Sequence, residues 1–309
     1  MGTLSKSRIV DPVLTNLATG YTNADFVGDQ LMPFVAVEKE SGKIPKFGQE
    51  HFRVYATERA LRAASNRIAP PDVGSVDVAL DEHDLETAID YREEAESMFP
   101  LQARATANVV EGIRLRHEVM VADVVQNTAS YPTGNKITLT GTAQFTHADS
   151  DPEGVVDDAR AAIRAKTVKD PNTLVIGYAT WRVLKRHPQL KAILSDSRPR
   201  LVQLADLREI FEVQNIVIGK AVRASDKGVV SDIWGDNMVL AYVPGAAGDM
   251  NARSPYEPSF GYTLRKRGQP VVDTYVESGG KVQLIRNTDI FRPFLLGAEA
   301  GYLIKDTNA

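Results

Sequence analysis

Residues 98–129 constrain the fold most. Leu101, Ala105, Val109, Ile113, Met120 and Val124 recur at i, i+3 and i+4 spacing with one gap, the period of an amphipathic helix. Tyr131-Pro132-Thr133-Gly134 ends the run. A helix of about thirty residues spans about 45 Å, long for a globular domain. An elongated subunit built on this spine is therefore expected, with Leu101, Val109, Ile113, Met120 and Val124 as its core side. Arg114 and Glu118 are spaced to pair at i, i+4 on the helix surface.

What precedes the spine has little core of its own. Residues 1–36 mix polar and apolar side chains without a sustained period and read as an arm that must lie on something else. In residues 37–96, Val35–Phe47 reads as one strand, and Val76, Val78 and Leu80 alternate with Asp77, Ala79 and Asp81 as a second. Pro70-Pro71 closes a connecting loop of about twenty residues, a length that usually carries function. The charges are lopsided. Arg53, Arg59, Arg62 and Arg67 outnumber two glutamates between Glu50 and Arg67, whereas ten carboxylates face Arg92 alone between Asp72 and Glu96. Two solvated faces explain this blandly. The sharper reading sets a basic loop tip on the acidic base of a neighbouring copy, with Asp81, Asp84 and Glu86 among the acids.

After the spine, Ile137–Phe145 reads as a strand. Asp151-Pro152-Glu153 starts a helix running to about Lys166, with an Asp N-cap, Pro at the first position and acid in the first turn. Residues 97–170 thus form a unit around the spine helix. Residues 171–257 alternate strand and helix: Thr173–Gly177, Asn215–Gly219 and Met238–Val243 as strands, Ala179–Leu194 and Leu204–Phe211 as helices. Residues 258–309 read as antiparallel strands, with Ser278-Gly279-Gly280 as a hairpin turn. The class is α+β.

Composition excludes much chemistry. The 309 residues contain no cysteine, so disulfides, thiolate metal sites and cysteine nucleophiles are out. The net charge of −4 argues against a general nucleic-acid coat, which needs a Lys/Arg excess. No apolar run reaches a membrane span and no signal peptide is visible, so a chain soluble and intracellular at synthesis is expected, without membrane contact. The nucleophile elbow, the phosphate loop and the dinucleotide glycine pattern are absent. His83 among Asp81, Glu82 and Asp84 reads as a solvated acidic strand rather than a metal site, because neighbours alternate faces. Asp149–Gly154 imitates a calcium loop but has Arg160 where the bidentate acid belongs. Arg265-Lys266-Arg267 is the one compact basic run, and a strand there would split it. No catalytic residue, cofactor or metal is expected, and an α/β enzyme using residues 173–243 is the reading from a different class.

Several stretches together resemble the major capsid proteins of tailed bacteriophages. Asp170-Pro171-Asn172-Thr173-Leu174-Val175-Ile176-Gly177, followed by Trp181, Leu184, His187-Pro188 and Leu190, resembles the opening of that family's axial domain. Val213–Gly219, Ile233-Trp234-Gly235, Leu240–Pro244 and Gly301–Lys305 resemble its later strands. The resemblance implies a Hong Kong 97-like capsid fold: N-terminal arm, extended β-hairpin loop, peripheral domain with spine helix, and α/β axial domain. It implies a structural protein whose pentamers and hexamers close into an icosahedral head around double-stranded DNA, as part of a virion assembled in the host cytoplasm. Scaffolding protein and portal are expected in trans, a decoration protein is an option, and no intersubunit crosslink is assumed from Lys39, Lys43 or Lys46. Arg53, Arg59, Arg62, Arg67, Asp81, Asp84, Glu86 and Trp234 are the expected intersubunit contacts. An encapsulin compartment shell, of the same fold, is the nearest alternative.

Overall fold

The computed structural model describes residues 9–10, 26–45, 57–59, 65–67, 74–97, 100–194, 201–225, 227, 229–245, 254 and 257–309. The first described elements are β1 (Ile9–Val10), α1 (Gly28–Leu31), β2 (Phe34–Val37) and β3 (Ser41–Pro45). Next come β4 (Ser75–Ala79), β5 (Asp81–Asp90), α2 (Tyr91–Glu96), the spine α3 (Leu101–Val125), β6 (Lys136–Thr138) and α4 (Pro152–Thr167). Then follow β7 (Thr173–Gly177), α5 (Tyr178–Leu184), α6 (Pro188–Ile193), α7 (Leu204–Ile210), β8 (Asn215–Gly219), β9 (Val222–Ala224), β10 (Val230–Asp232) and β11 (Met238–Ala241). The chain closes with β12 (Gly261–Lys266), β13 (Val271–Val276), β14 (Val282–Leu295) and β15 (Gly301–Lys305).

Two sheets share the spine. The larger is built on β14, which pairs with β5 along one edge and with β13 and β12 along the other; β1 and β2 extend it. The second has the order β6-β15-β11-β7-β8 and so draws β6 and β15 from outside residues 171–257. Its strands β7 and β11 are buried throughout because both faces are covered. Leu174, Ile176, Met238, Leu240 and Ile304 face α4 to α7, while Val175, Val239, Ala241 and Leu303 face α3 and α1. The N-terminal part of α3 packs Ala105 and Val110 on Ile89, Val272 and Ile285 of the larger sheet. Its C-terminal part packs Val121, Ala122 and Val125 on the second.

Local chemistry explains where expectation and structure differ. The spine helix has 25 residues, about 37 Å. Pro100 stands at its start without an N–H to donate, and beyond its end the Asn127 side chain accepts from Ala129 N at 2.9 Å, stabilising a separate turn. Val109 and Ile113 are buried, but Leu101, Met120 and Val124 are only half-buried; the inward stripe continues instead through His117, Val121 and Val125. The strand expected over Val35–Phe47 is two strands. β2 runs parallel to β12, whereas β3 pairs antiparallel with β4. The strand expected over Ile137–Phe145 stops at Thr138, and Gly141 takes a left-handed φ of 58° to open a 3-10 turn. The helix expected over Ala179–Leu194 breaks at His187, which precedes Pro188 and is extended (ψ 129°). The α4 start is as read: Asp151 Oδ1 accepts from Gly154 N at 3.0 Å with Pro152 first in the helix.

Gly177 and Gly219 mark backbone approaches that no side chain could share. A Cβ on Gly177 would stand 2.2 Å from the Gly235 carbonyl oxygen, and one on Gly219 2.2 Å from the Trp234 ring. Gly177→Ala is therefore expected to lower the urea midpoint more than Gly42→Ala, where nothing lies within 4 Å. Equal midpoints for the two variants would refute the packing argument.

Candidate functional site

The start of α1, at Val27 and Gly28, is held by one carboxylate. Glu118 of α3 is fully buried. It accepts from Val27 N at 3.0 Å, Gly28 N at 2.7 Å and the Trp234 indole N–H at 2.6 Å. Burial raises its pKa, against three donors that favour the charged form. The surface pair expected between Arg114 and Glu118 is thus replaced by an inward-facing anchor. Trp234, expected at an intersubunit contact, is 1% exposed and belongs to this interior cluster. Its body fills the space against Gly219, and its one polar atom is spent on Glu118.

A second polar chain runs beside the anchor. His117 Nε2 lies 2.8 Å from Thr263 Oγ1, which donates to Met32 O at 2.9 Å; the ring nitrogen therefore carries the proton and donates to Thr263. His117 stacks on Phe34 at 4.5 Å, and His83 of β5 stacks on Phe291 at 4.3 Å. The Arg265 guanidinium lies 3.6 Å from the Phe34 ring centroid and donates to Asp289 at 2.9 Å, both partners being largely buried. A cavity of about 240 Å³ opens among these residues.

Burial pushes the His117 pKa down to about 3, helped by Arg265, His83 and Arg114. A buried neutral histidine binds its proton less readily folded than unfolded, so its contribution to stability is intact above about pH 6.5 and is lost as pH falls below that value. Asp289, Glu118 and Asp29 have raised values, so their contributions carry the opposite sign. Comparing wild type with His117→Phe isolates the imidazole. The stability lost between pH 6.5 and 5 is expected to be about 2 kcal/mol smaller in the variant. Urea titrations at both pH values check this, and equal losses would refute it.

The expected contact residues are scattered. Arg53 and Arg62 lie outside the described residues. Arg59 and Arg67 are exposed. On β5, Asp81 lies 3.6 Å from Arg292, Asp84 accepts from Thr288 Oγ1 at 3.1 Å with Arg286 at 4.0 Å, and Glu86 accepts from the Tyr275 hydroxyl at 2.6 Å. The acidic base is therefore partly neutralised within the subunit, on a strand that among the described residues pairs along one edge, with β14. The basic run is divided: Arg265 points inward to Asp289, Lys266 meets Glu40, and Arg267 meets Glu38 at 2.9 Å. Such a run offers no continuous phosphate-binding face. Among the described residues, no three His, Asp or Glu side chains stand close enough to hold a metal ion, and no helix is long and apolar enough to cross a membrane.

Comparison with known proteins decides what this architecture serves. The family model for phage major capsid protein E matches residues 10–278. The chain belongs to the phage major capsid protein E family. It is 60% identical over 308 residues to the major capsid protein of Burkholderia phage BcepMu, covering 100% of both chains. The crystal structure of a phage-related protein from Bordetella bronchiseptica RB50 superposes with a TM-score of 0.81 at 33% identity, covering 97% of this chain and 98% of that one. The SrpI encapsulin of Synechococcus elongatus PCC 7942 superposes at 0.56 with 11% identity over 97% and 96% of the two chains, which shows a shared fold alone. The phage reading therefore stands over the compartment alternative.

In this capsid protein, a Hong Kong 97-like subunit, the anchor at Glu118 was hidden from sequence reasoning by its own i, i+4 match to Arg114. The signal was present nonetheless. Glu118 falls between His117 and Val121 on the stripe that continues from Ile113, where a solvated acid has no place. Arg265 and Asp289 lie on different strands, and nothing local marks them as partners.

Proposed function

We propose that copies of this chain form the pentamers and hexamers of an icosahedral phage head that encloses double-stranded DNA. Scaffolding protein and portal act in trans, a decoration protein is an optional addition, and assembly takes place in the host cytoplasm. The protein acts as a structural subunit and not as an enzyme. The observation that carries this reading is 60% identity to a phage major capsid protein over the full length of both chains. The net charge of −4 agrees with a container, since a strongly basic wall would hold DNA instead of letting it slide.

Within that shell, residues 171–257 form the axial domain around the capsomer axis, with β15 and β6 completing its sheet. Residues 97–170 and 258–309 form the peripheral domain. Residues 1–36 form the arm, and 37–96 the extended loop that crosses the neighbouring subunit. Arms and loops of this kind are ordered by what they lie on, at an entropic cost that repeated interfaces offset.

Electron microscopy with sedimentation of the expressed chain, with and without scaffold, tests the assembly. Closed shells or capsomer rings are expected, and a stable monomer under both conditions would overturn it. The loop contact has its own test. The Arg59→Glu, Arg67→Glu double variant is expected to reduce shell yield at least tenfold while the soluble subunit keeps the wild-type circular dichroism spectrum. Normal shell yield at both low and raised salt would refute the contact without touching the capsid assignment.

A further inference from the structure

Phe291 of β14 is surrounded by basic groups. His83 of β5 stacks on its ring at 4.3 Å, His117 of the spine meets it edge-on at 5.4 Å, and the Arg265 guanidinium lies 6.0 Å from its centroid. His83 stands on the face of β5 turned to the spine. Leu85 shares that face and packs so near Gly112 of α3 that a Cβ there would stand 2.7 Å from Leu85 Cδ1. Glu82 and Asp84 take the other face. The acidic strand read in the sequence is present, but its histidine is half-buried instead of solvated.

A neutral imidazole fits this place and an imidazolium does not. His83 Nε2 is buried and has no hydrogen-bond partner. Both nitrogens of a charged ring are donors, so a second proton on His83 creates a buried N–H without an acceptor. The surrounding charges add to this. From α3 the ring faces Arg116 and His117, and across Phe291 stands Arg265 of β12. Opposite it in register on β14 is Asp289, whose carboxylate is held by Arg265 at 2.9 Å. Asp81, on its own strand, favours the charged form. The Phe291 ring attracts a cation too, but Arg265 already draws on it. Burial holds the His83 pKa below its ordinary value; Asp81 and the Phe291 backbone oppose the shift, and Arg116 adds to it.

We propose that His83 is an acid-sensitive joint between β5 and the spine, holding β5 on α3 while the ring is neutral and releasing it when the ring takes a second proton. The sign follows from linkage. A ring that binds its proton less readily when docked than when released contributes fully above about pH 6.5, and that contribution is lost as pH falls below this value. Among the described residues β5 pairs with β14 alone, so it can come away without unmaking the buried strands β7 and β11. The joint lies within one subunit and stands or falls apart from the assembly reading.

Hydrogen exchange of the soluble full-length chain, read by mass spectrometry at pH 7.5 and 5.0 and corrected for the intrinsic pH dependence of exchange, tests the joint. Protection of residues 81–90 is expected to fall at least about fivefold between the two pH values in the wild type. His83→Phe keeps a ring on Phe291 and takes no proton; His83→Gln takes no proton and gives up the ring. In either variant the fall should be less than half that of the wild type. Residues 173–177 should stay at least about tenfold better protected than 81–90 at pH 5.0, which marks the opening as local. A smaller fall in the wild type overturns the proposal without recourse to any variant. So does a fall at least half as large in whichever variant keeps the wild-type circular dichroism spectrum at pH 7.5. A narrower gap between 81–90 and 173–177 at pH 5.0 also overturns it, because the whole subunit is then opening.

Discussion

Glu118→Ala is expected to destabilise the folded subunit by about 3–5 kcal/mol. The variant leaves three donors without an acceptor: Val27 N, Gly28 N and Trp234 Nε1. Each buried orphan costs about 1–3 kcal/mol, reduced where water enters the space the side chain vacates. Glu118→Gln keeps one acceptor oxygen, but its amide group faces donors; an intermediate loss of about 1–3 kcal/mol is expected. Urea unfolding followed by tryptophan fluorescence measures both, with unchanged m as the condition for reading midpoints as stability. A loss below about 1 kcal/mol for the alanine variant would show that the three donors find water at no cost. Because Glu118 holds Val27 and Gly28 at the start of α1, protease cleavage near Phe26 should also quicken in the alanine variant well below the unfolding midpoint.

The legible parts of this fold share a cause. Thr173–Gly177 and Met238–Ala241 could be read as strands because burial on both faces leaves an uninterrupted apolar run. The start of α4 could be read because Asp151 and Pro152 act through their own backbone. Where reading failed, a distant partner had decided. Val35 and Ile44 both look extended, yet they belong to different sheets because β2 finds β12 and β3 finds β4. Trp234 carries no local mark to separate an interface anchor from a core anchor; Gly219 and Glu118 make it the latter. The charge asymmetry between residues 50–67 and 72–96 was legible in the sequence. The intrachain partners of its acidic base (Arg292, Arg286 and Tyr275) were not, because each comes from the final third of the chain.

Asp289→Ala is expected to cost about 3–5 kcal/mol as well, for a different reason: it takes away the carboxylate paired with a buried cation. Arg265 is 15% exposed at its side chain and forms an ion pair with Asp289 at 2.9 Å. Contact with Phe34 at 3.6 Å retains part of the stabilisation, since a ring face attracts a guanidinium. Desolvation lowers the Arg265 pKa, and the guanidinium, unlike a lysine ammonium, does not escape burial by losing its proton. Removing both charges should therefore be far milder than removing one. The double variant Arg265→Met, Asp289→Leu is expected within about 2 kcal/mol of wild type, because replacing a buried pair by apolar groups of similar volume spares the desolvation of two ions. A double-mutant cycle in urea measures the coupling directly. If the double variant loses as much as the sum of the single ones, the pair is uncoupled and the charge-pair argument fails. If it recovers stability but shells no longer form, the pair is held for the geometry it imposes on β2 and β12.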